Sequence, residues 1–228
     1  MPTEEPFQGK INPQVAAVGL SEDDAKAYNE FIEELTDDGY NTELVVIAPH
    51  GGDIEEHTDE QAEEVAKQIL PSKCVSLWMC KGFNKKEDGG AFARWHITST
   101  DISEESFPKL KTIIGRQFKY AIAFHGWNGE KNSICIGGTI PYDLKCEIKR
   151  AIADAISGSG IVVAIGGDYY SDDKTCPENF NGNNSNNIVN RLSPNGGVQI
   201  EQSKKAREEY SPKIAEAVAD VIRPKLAV

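Results

Sequence analysis

Four side chains of this 228-residue chain are of types that could together bind a metal and move a proton. His50 and Glu55 follow the apolar run Val-Val-Ile-Ala-Pro, while His125 and Glu201 close two later apolar runs. Two imidazoles and one carboxylate are a common ligand set of catalytic zinc, which keeps a fourth position open for water. A further carboxylate outside the ligand set is then needed as general base. The residue types therefore indicate a zinc site at His50, Glu55 and His125, with Glu201 as the candidate base.

Each of these residues also has a plainer interpretation. His50 and Glu55 could be a surface imidazole and a solvated carboxylate, and Glu201 could be a strand-end carboxylate that points into solvent. Glu201 favours the site because a glutamate that closes the run Gly-Val-Gln-Ile would otherwise lie uncompensated at the edge of a core.

The elements that must position these residues are short apolar strands and amphipathic helices. The first strand is expected at 45–48, where Pro49 ends it and two glycines allow a sharp loop before Glu55. Further strands are predicted at 74–79, 119–124, 134–136, 161–165 and 198–201, with a shorter strand-like run at 94–98. Helices are predicted at 21–39, 58–69, 103–114, 141–158 and from 211 to about 222.

The alternation of strands and helices predicts the fold class. We expect an α/β single domain with a mainly parallel, mixed central sheet covered by helices on both faces. Residues 1–20 are expected to form an N-terminal arm, and residues 21–228 the domain that carries the zinc site. Residues 166–196 are rich in Asn, Gly and Asp and too long for an ordinary connection, which suggests a functional segment.

Charge and composition exclude several classes of function. A formal net charge of −12 disfavours nucleic acid or an anionic membrane as the main partner. No apolar run is long enough for a membrane span, and the acidic start does not resemble a signal peptide, so a cytoplasmic monomer is the default. The five cysteines include no C-x-x-C pair, so Cys74, Cys80 and Cys135 are expected to be core thiols outside any disulfide framework.

Four stretches resemble the motifs of the poly-γ-glutamate hydrolase family. They are Pro-His-Gly-Gly-Asp-Ile-Glu at 49–55, His-Ile-Thr-Ser-Thr at 96–100, Ala-Phe-His-Gly at 123–126 and Gly-Val-Gln-Ile-Glu at 197–201. They occur in the family's order over about residues 40–210. The resemblance implies a zinc-carboxypeptidase-like α/β fold, one Zn²⁺ per chain held by His50, Glu55 and His125, and Glu201 as base.

One spacing separates this family from the wider superfamily. Zinc carboxypeptidases place their first His and Glu ligands three residues apart, whereas His50 and Glu55 are five apart, as in the smaller family. Glu56 is adjacent and remains an alternative ligand.

Further residues are candidates for substrate binding. A planar guanidinium suits a substrate carboxylate, which singles out Arg94, Arg207 and Arg191, the last together with Asn190 of the Asn-rich segment. His96 matches a family motif and could contact substrate. The alternatives are ordinary surface arginines and a buried, hydrogen-bonded histidine.

The resemblance implies hydrolysis of the γ-glutamyl amide bonds of poly-γ-glutamate. The negative net charge opposes a polyanionic substrate, although a local basic patch at Lys81, Lys85, Lys86 and Arg94 could outweigh it at short range. Two rival functions stay open: a zinc amidohydrolase of a small acyl-amino acid or γ-peptide, and a metal-bearing module that binds acidic peptides without cleaving them.

Overall fold

The computed structural model of this chain describes residues 20–70, 74–84, 89–128, 131–167 and 175–227, with the side chains of 178 and 179 left out. Apart from Leu20, the predicted N-terminal arm lies outside the described residues. The strands are β1 (Phe31–Thr36), β2 (Leu44–Gly52), β3 (Ser76–Gly82), β4 (Tyr120–Trp127), β5 (Ser133–Gly137), β6 (Val162–Ile165) and β7 (Gly197–Ser203). The α-helices are α1 (Glu22–Tyr28), α2 (Thr58–Ile69), α3 (Gly90–Trp95), α4 (Pro108–Ile113), α5 (Tyr142–Ala155), α6 (Ile188–Leu192) and α7 (Lys204–Ile222).

The strands form one mixed sheet in the order β1-β3-β2-β4-β7-β5-β6. The central strands β3, β2, β4 and β7 run parallel to one another. Strand β1 is antiparallel to β3, and β5 is antiparallel to β7 and parallel to β6. The predicted mainly parallel, mixed sheet is confirmed.

The sheet has a hydrophobic core on each face. Val46 and Ala48 of β2 pack in the same cluster as buried residues of α2, α5 and α7. Val45 and Ile47 of β2 point the other way and pack in a cluster with residues of α3, α4 and α6. A strand covered on both faces reads as a continuous apolar run, which is why β2 was visible in the sequence. Among the described residues, no helix is long and apolar enough to cross a membrane.

The predicted helix over 21–39 is wrong in its second half. Helix α1 ends at Asn29, which adopts a left-handed conformation with φ of 54°, and the chain then forms the edge strand β1. Phe31 packs in the cluster beneath one face of the sheet, and its neighbour Ile32 packs with Ala25 and Phe83 in another. This alternation is the period of a strand, and antiparallel pairing with β3 decided the conformation.

Three other predicted elements also differ. The strand-like run at 94–98 is instead the end of helix α3 and its exit. Helix α4 begins at Pro108, after an N-cap at Phe107, and not at Ser103. Helix α7 begins at Lys204, so Pro212 lies inside it and not in its first turn. For α4 the observed start agrees with the preference of proline for the first turn of a helix.

The cysteines also differ from the expectation. Cys135 of β5 forms a disulfide with Cys176, 41 residues away in sequence, and Cys74 is exposed. Only Cys80 is a buried thiol as predicted among the three expected core cysteines. The bond attaches the segment before Phe180 to the sheet.

Candidate metal centre and cleft

An irregularity in β2 places His50 at the carboxyl end of the parallel strands. The pairing of β2 with β3 shifts register between Ala48 and Gly51. A Cβ at Gly51 would lie 2.7 Å from Cβ of Asp59, so no larger residue fits there without displacement. The following loop returns to the strand, where the Glu55 N–H donates to the His50 carbonyl oxygen at 2.8 Å. This loop is the reason why a gap of five residues brings His50 and Glu55 to one point.

The side chains of His50, Glu55 and His125 converge. Nδ1 of His50 lies 3.1 Å from Oε1 of Glu55, and Nδ1 of His125 lies 3.4 Å from Oε2. The two Nδ1 atoms are 3.2 Å apart. Ligand atoms at about 2.1 Å from a tetrahedral zinc would be separated by about 3.4 Å. The donor chemistry of the three residues suits a zinc-sized cation, and the two imidazole nitrogens lie near different oxygens of the Glu55 carboxylate.

Surrounding groups orient these side chains. Nε2 of His50 lies 2.7 Å from the Ile97 carbonyl oxygen, which can only accept. Nε2 of His50 is therefore the protonated nitrogen of the neutral ring, and Nδ1 keeps a free lone pair. The backbone N–H of Gly126 donates to Oε2 of Glu55 at 2.8 Å. Nε2 of His125 lies 3.4 Å from Oγ of Ser99.

His96 is the neighbour of this cluster and a competing ligand. Together with His50 and Glu55 it forms a set whose possible ligand atoms lie within 4.8 Å of one another. Its Nε2 is 3.7 Å from Oε1 of Glu55, farther than either Nδ1 atom of the other two histidines lies from that carboxylate. Burial and the nearby His50 lower the pKa of His96 to about 3. We favour the set with His125 on these distances, with His96 as a neutral ring beside it.

Glu201 lies beside His125 because β4 and β7 pair in register at these two residues. Burial raises the pKa of Glu201 to about 7, with Glu55 adding to the increase and His125 opposing it. Burial also acts to raise the pKa of Glu55, but His50 and His125 outweigh it and hold that pKa well below its usual range. The two carboxyl groups are thus separated in acidity, with the pKa of Glu55 lowered and that of Glu201 raised.

A cleft of about 470 Å³ opens onto the cluster. Its walls come from the loops after β2 and β4, from α3 and its exit, and from the segment before β7. The lining residues are His50, Ile54, Glu55, Phe92, His96, Thr98, Ser99, Thr100, His125, Gly126, Trp127, Asn128, Phe180, Asn187, Gln199, Glu201 and Arg207.

Arg207 brings a buried guanidinium to the cleft. Its Nη1 donates to the Glu56 carbonyl oxygen at 2.5 Å, and its Nε has no hydrogen-bond partner among the described residues. A Cβ at Gly126 would lie 2.5 Å from Cζ of Arg207, so the glycine makes room for the guanidinium. Burial lowers the pKa of Arg207, while Glu55 and Glu56 oppose that shift. A guanidinium that lines the cleft beside these ligand candidates is suited to an anionic substrate group.

Of the other predicted substrate-binding residues, His96 lines the cleft, whereas Arg94, Asn190 and Arg191 do not. Arg94 lies over the Trp95 ring at 4.7 Å. Arg191 donates to the Ile102 carbonyl oxygen at 2.7 Å and pairs with Glu104. Asn190 is buried, and its amide group donates to the carbonyl oxygens of residues 182 and 184. The contacts of Arg191 and Asn190 hold the segment before β7 in place.

The predicted basic patch does not form at Lys81. That side chain is buried, and its Nζ lies 2.9 Å from Glu22, 3.1 Å from Glu34 and 3.1 Å from Glu63. These carboxylates raise the pKa of Lys81 against the effect of burial, which is the largest single influence and lowers it. Its charge is already compensated within the fold. The other two lysines of the expected patch lie outside the described residues.

Sequence analysis missed several residues of the cleft. Phe92 stacks on His96 with ring centroids 4.2 Å apart, and Trp127 meets Phe180 edge-on at 5.0 Å. Gln199 carried a usable signal, because it precedes Glu201 by two residues and so points to the same face of β7. Phe92 carried no such signal, because the helix α3 that contains it was not predicted, and its end lies in the predicted strand-like run at 94–98.

Comparison with known proteins places the chain in a family. Residues 20–217 match the poly-gamma-glutamate hydrolase family. The chain is 28% identical over 166 residues to the SPbeta prophage-derived UPF0714 protein YoqZ of Bacillus subtilis (strain 168), a match that covers 73% of this chain and 51% of YoqZ. The chain therefore spans about half the length of that curated relative.

Two solved structures share the fold. A bacteriophage poly-gamma-glutamate hydrolase superposes with a TM-score of 0.60 at 22% identity, covering 84% of this chain and 87% of the other. The zinc-free apo form of YndL superposes with a TM-score of 0.59 at 22% identity, covering 86% and 90%. The family resemblance seen in the sequence is confirmed. The chain belongs to the poly-gamma-glutamate hydrolase family.

Proposed function

We propose that this protein hydrolyses the γ-glutamyl amide bonds of poly-γ-glutamate with one zinc ion held by His50, Glu55 and His125. The observation that carries the proposal is the convergence of two imidazole nitrogens, 3.2 Å apart, on the two oxygens of one buried carboxylate at 3.1 and 3.4 Å. When bound, zinc would supply Lewis-acid activation of a water molecule and of the amide carbonyl.

Glu201 is the general base in this proposal. Burial raises the pKa of Glu201 toward neutrality, which suits a carboxyl group that takes a proton and returns it. A cation at the neighbouring cluster favours its ionised form. Glu201 takes a proton from the attacking water as the bond to the amide carbon forms. It delivers the proton to the leaving nitrogen as the carbon–nitrogen bond breaks.

Arg207 anchors the substrate in this proposal. Each γ-linked glutamyl unit keeps a free carboxylate beside the scissile amide, and the guanidinium of Arg207, which lines the cleft, suits that carboxylate. His96 and the Phe92 ring that stacks on it also line the cleft and limit the orientation of the bound chain.

The test is cleavage of poly-γ-glutamate by the purified protein before chelation, after chelation, and after zinc is added back. Shortened polymer, followed by size-exclusion chromatography, should disappear with the chelator and return with zinc. Poly-α-glutamate is the matched control, with the same charge and a different linkage, and it should remain intact.

Two results would contradict parts of the proposal. Cleavage that survives complete metal removal excludes the metal mechanism. Cleavage of small γ-glutamyl amides but not of the polymer would favour the amidohydrolase alternative. One observation supports that alternative: among the described residues that line the cleft, Arg207 is the only arginine or lysine.

A further inference from the structure

We propose that Asn187 and Gln199 form a hydrogen-bond relay that orients Glu201 and decides which of its carboxylate oxygens receives the proton. Both are positioning residues in this view, and the inference rests on the proposed function of Glu201 as base. The relay runs from the start of α6 to the strand β7.

The contacts form an unbroken chain. Nδ2 of Asn187 lies 2.6 Å from Oε1 of Gln199, and Nε2 of Gln199 lies 2.8 Å from Oε1 of Glu201. Gln199 and Glu201 are two residues apart on β7, so their side chains share a face and the glutamine reaches the carboxylate without strain. All three side chains are buried, which makes an unsatisfied amide group costly.

The direction of the relay is fixed by the backbone. Asn187 is the N-cap of α6, and its Oδ1 accepts from the Val189 N–H at 3.2 Å. A backbone N–H can only donate, so the amide nitrogen of Asn187 must face Gln199. Gln199 then accepts with Oε1 and has its own amide nitrogen turned toward Glu201. The Val189 N–H at the start of α6 therefore fixes the orientation of both side-chain amides, that of Asn187 and that of Gln199.

The start of α6 is itself held to the cleft wall. The Ile188 N–H donates to the Ser99 carbonyl oxygen at 3.0 Å, and the Asn187 N–H donates to the Asn184 carbonyl oxygen at the same distance. Ser99 also contacts His125 through its hydroxyl group. The relay therefore begins at a backbone that is tied to the segment beside the metal cluster.

The relay distinguishes the two oxygens of Glu201. Oε1 accepts an N–H whether the carboxyl group is ionised or protonated at the other oxygen, so the contact persists through proton transfer. Oε2 is then the oxygen that takes the proton. Orientation of the base thus does not depend on its protonation state.

The variant Asn187→Asp tests the relay without removing the cap. Aspartate still accepts from the Val189 N–H but cannot donate, so the Gln199 amide nitrogen turns to it and presents an oxygen to Glu201. Two acceptors then face each other. We expect kcat for poly-γ-glutamate cleavage to fall about tenfold or more and KM to change less than about twofold. The thermal midpoint should fall, because the variant buries an added carboxylate and leaves two acceptors facing each other, while the intact cap limits the loss.

Asn186→Asp is the matched control, because it makes the same change of charge one residue away on an exposed side chain. It should leave kcat, KM and stability unchanged. A kcat for Asn187→Asp within twofold of the wild-type value would overturn the relay.

A spectroscopic measurement separates failure of the relay from failure of the proposed function. The side-chain amide peaks of Gln199 in a ¹⁵N–¹H spectrum, assigned by their loss in Gln199→Leu, should move in Asn187→Asp and stay in place in Asn186→Asp. If the wild type cleaves no γ-glutamyl substrate, the proposed function fails. The Gln199 amide peaks then still show whether the hydrogen bonds of the relay exist. Peaks that do not respond to Asn187→Asp overturn the relay in either case.

Discussion

The two ends of the parallel strands both bury charged groups, and the groups are arranged in opposite ways. At the amino end, Asp37 receives two hydrogen bonds from the Arg116 guanidinium at 2.7 Å each and one from the Ser76 hydroxyl at 2.6 Å. At the carboxyl end, Glu55 and Glu201 lie on either side of His125, and each carboxyl group disfavours ionisation of the other site.

The pKa values express this difference. The hydrogen bonds from Arg116 hold the pKa of Asp37 below its usual range, because the ionised form is the one that the fold stabilises. Burial raises the pKa of Glu201, because the fold provides too little to stabilise its charge. The Asp37–Arg116 pair at the amino end stabilises the protein. At the carboxyl end, burial of Glu201 lowers stability and leaves a group that can exchange a proton. Three experiments test this difference between the two ends of the strands.

The largest effect is expected from Glu201→Gln. Loss of a general base should lower kcat for poly-γ-glutamate about 10²-fold to 10⁴-fold. The free energy of unfolding should stay the same or increase at neutral pH, because a neutral amide replaces a carboxylate that burial destabilises. Cleavage rate, zinc content and urea unfolding measured on the same preparation would test this. A clear loss of stability would contradict the contrast, and a near-normal rate would remove Glu201 from its role.

Asp37→Asn should have the reverse pattern. It removes a charged acceptor and leaves the guanidinium of Arg116 without its carboxylate, so the free energy of unfolding should fall by about 1–3 kcal/mol. The cleavage rate should not change, because the site lies at the other end of the strands. Asp154→Asn, on an exposed part of α5, is the control and should alter neither quantity. Reduced kcat in correctly folded Asp37→Asn would show that the two ends are coupled.

The smallest expected effect is the pH dependence of the stability difference between the wild type and Asp37→Asn. The folded-state pKa of Asp37 is lowered, so its contribution to stability is present above the unfolded pKa of about 4 and is lost as the pH falls through the folded value. The stability difference between wild type and Asp37→Asn should therefore be constant near neutrality and shrink below about pH 4. Urea unfolding at a series of pH values measures it, and a difference that persists undiminished at pH 2.5 would exclude the ion pair as its source.

The sequence predicted the central strands and the residues that meet at the site for a physical reason. Strands buried on both faces are continuous apolar runs, and in a parallel sheet their carboxyl ends come together, so His50, His125 and Glu201 could be placed at one edge. Their exact spacing could not be predicted. It depends on the irregularity in β2 and on the register of β4 with β7.

What the sequence did not predict depends on distant partners. Phe31 could belong to a helix or to an edge strand until its pairing with β3 is known. Lys81 looked like part of a basic surface, but three carboxylates from separate segments surround it. The link between Cys135 and Cys176 joins residues 41 positions apart. In each case the deciding neighbour comes from another part of the chain.

The in-register pairing of His125 with Glu201 has a consequence for how the length of this chain can vary. Inserting or deleting one residue within β4 or β7 would turn one of the two side chains to the opposite face of the sheet and abolish the site. This rule does not apply to the connection between β6 and β7, whose length can vary if the Cys176 disulfide and the contacts of Asn187, Asn190 and Arg191 are kept. Homologous chains should therefore differ in length between these strands and almost never within them.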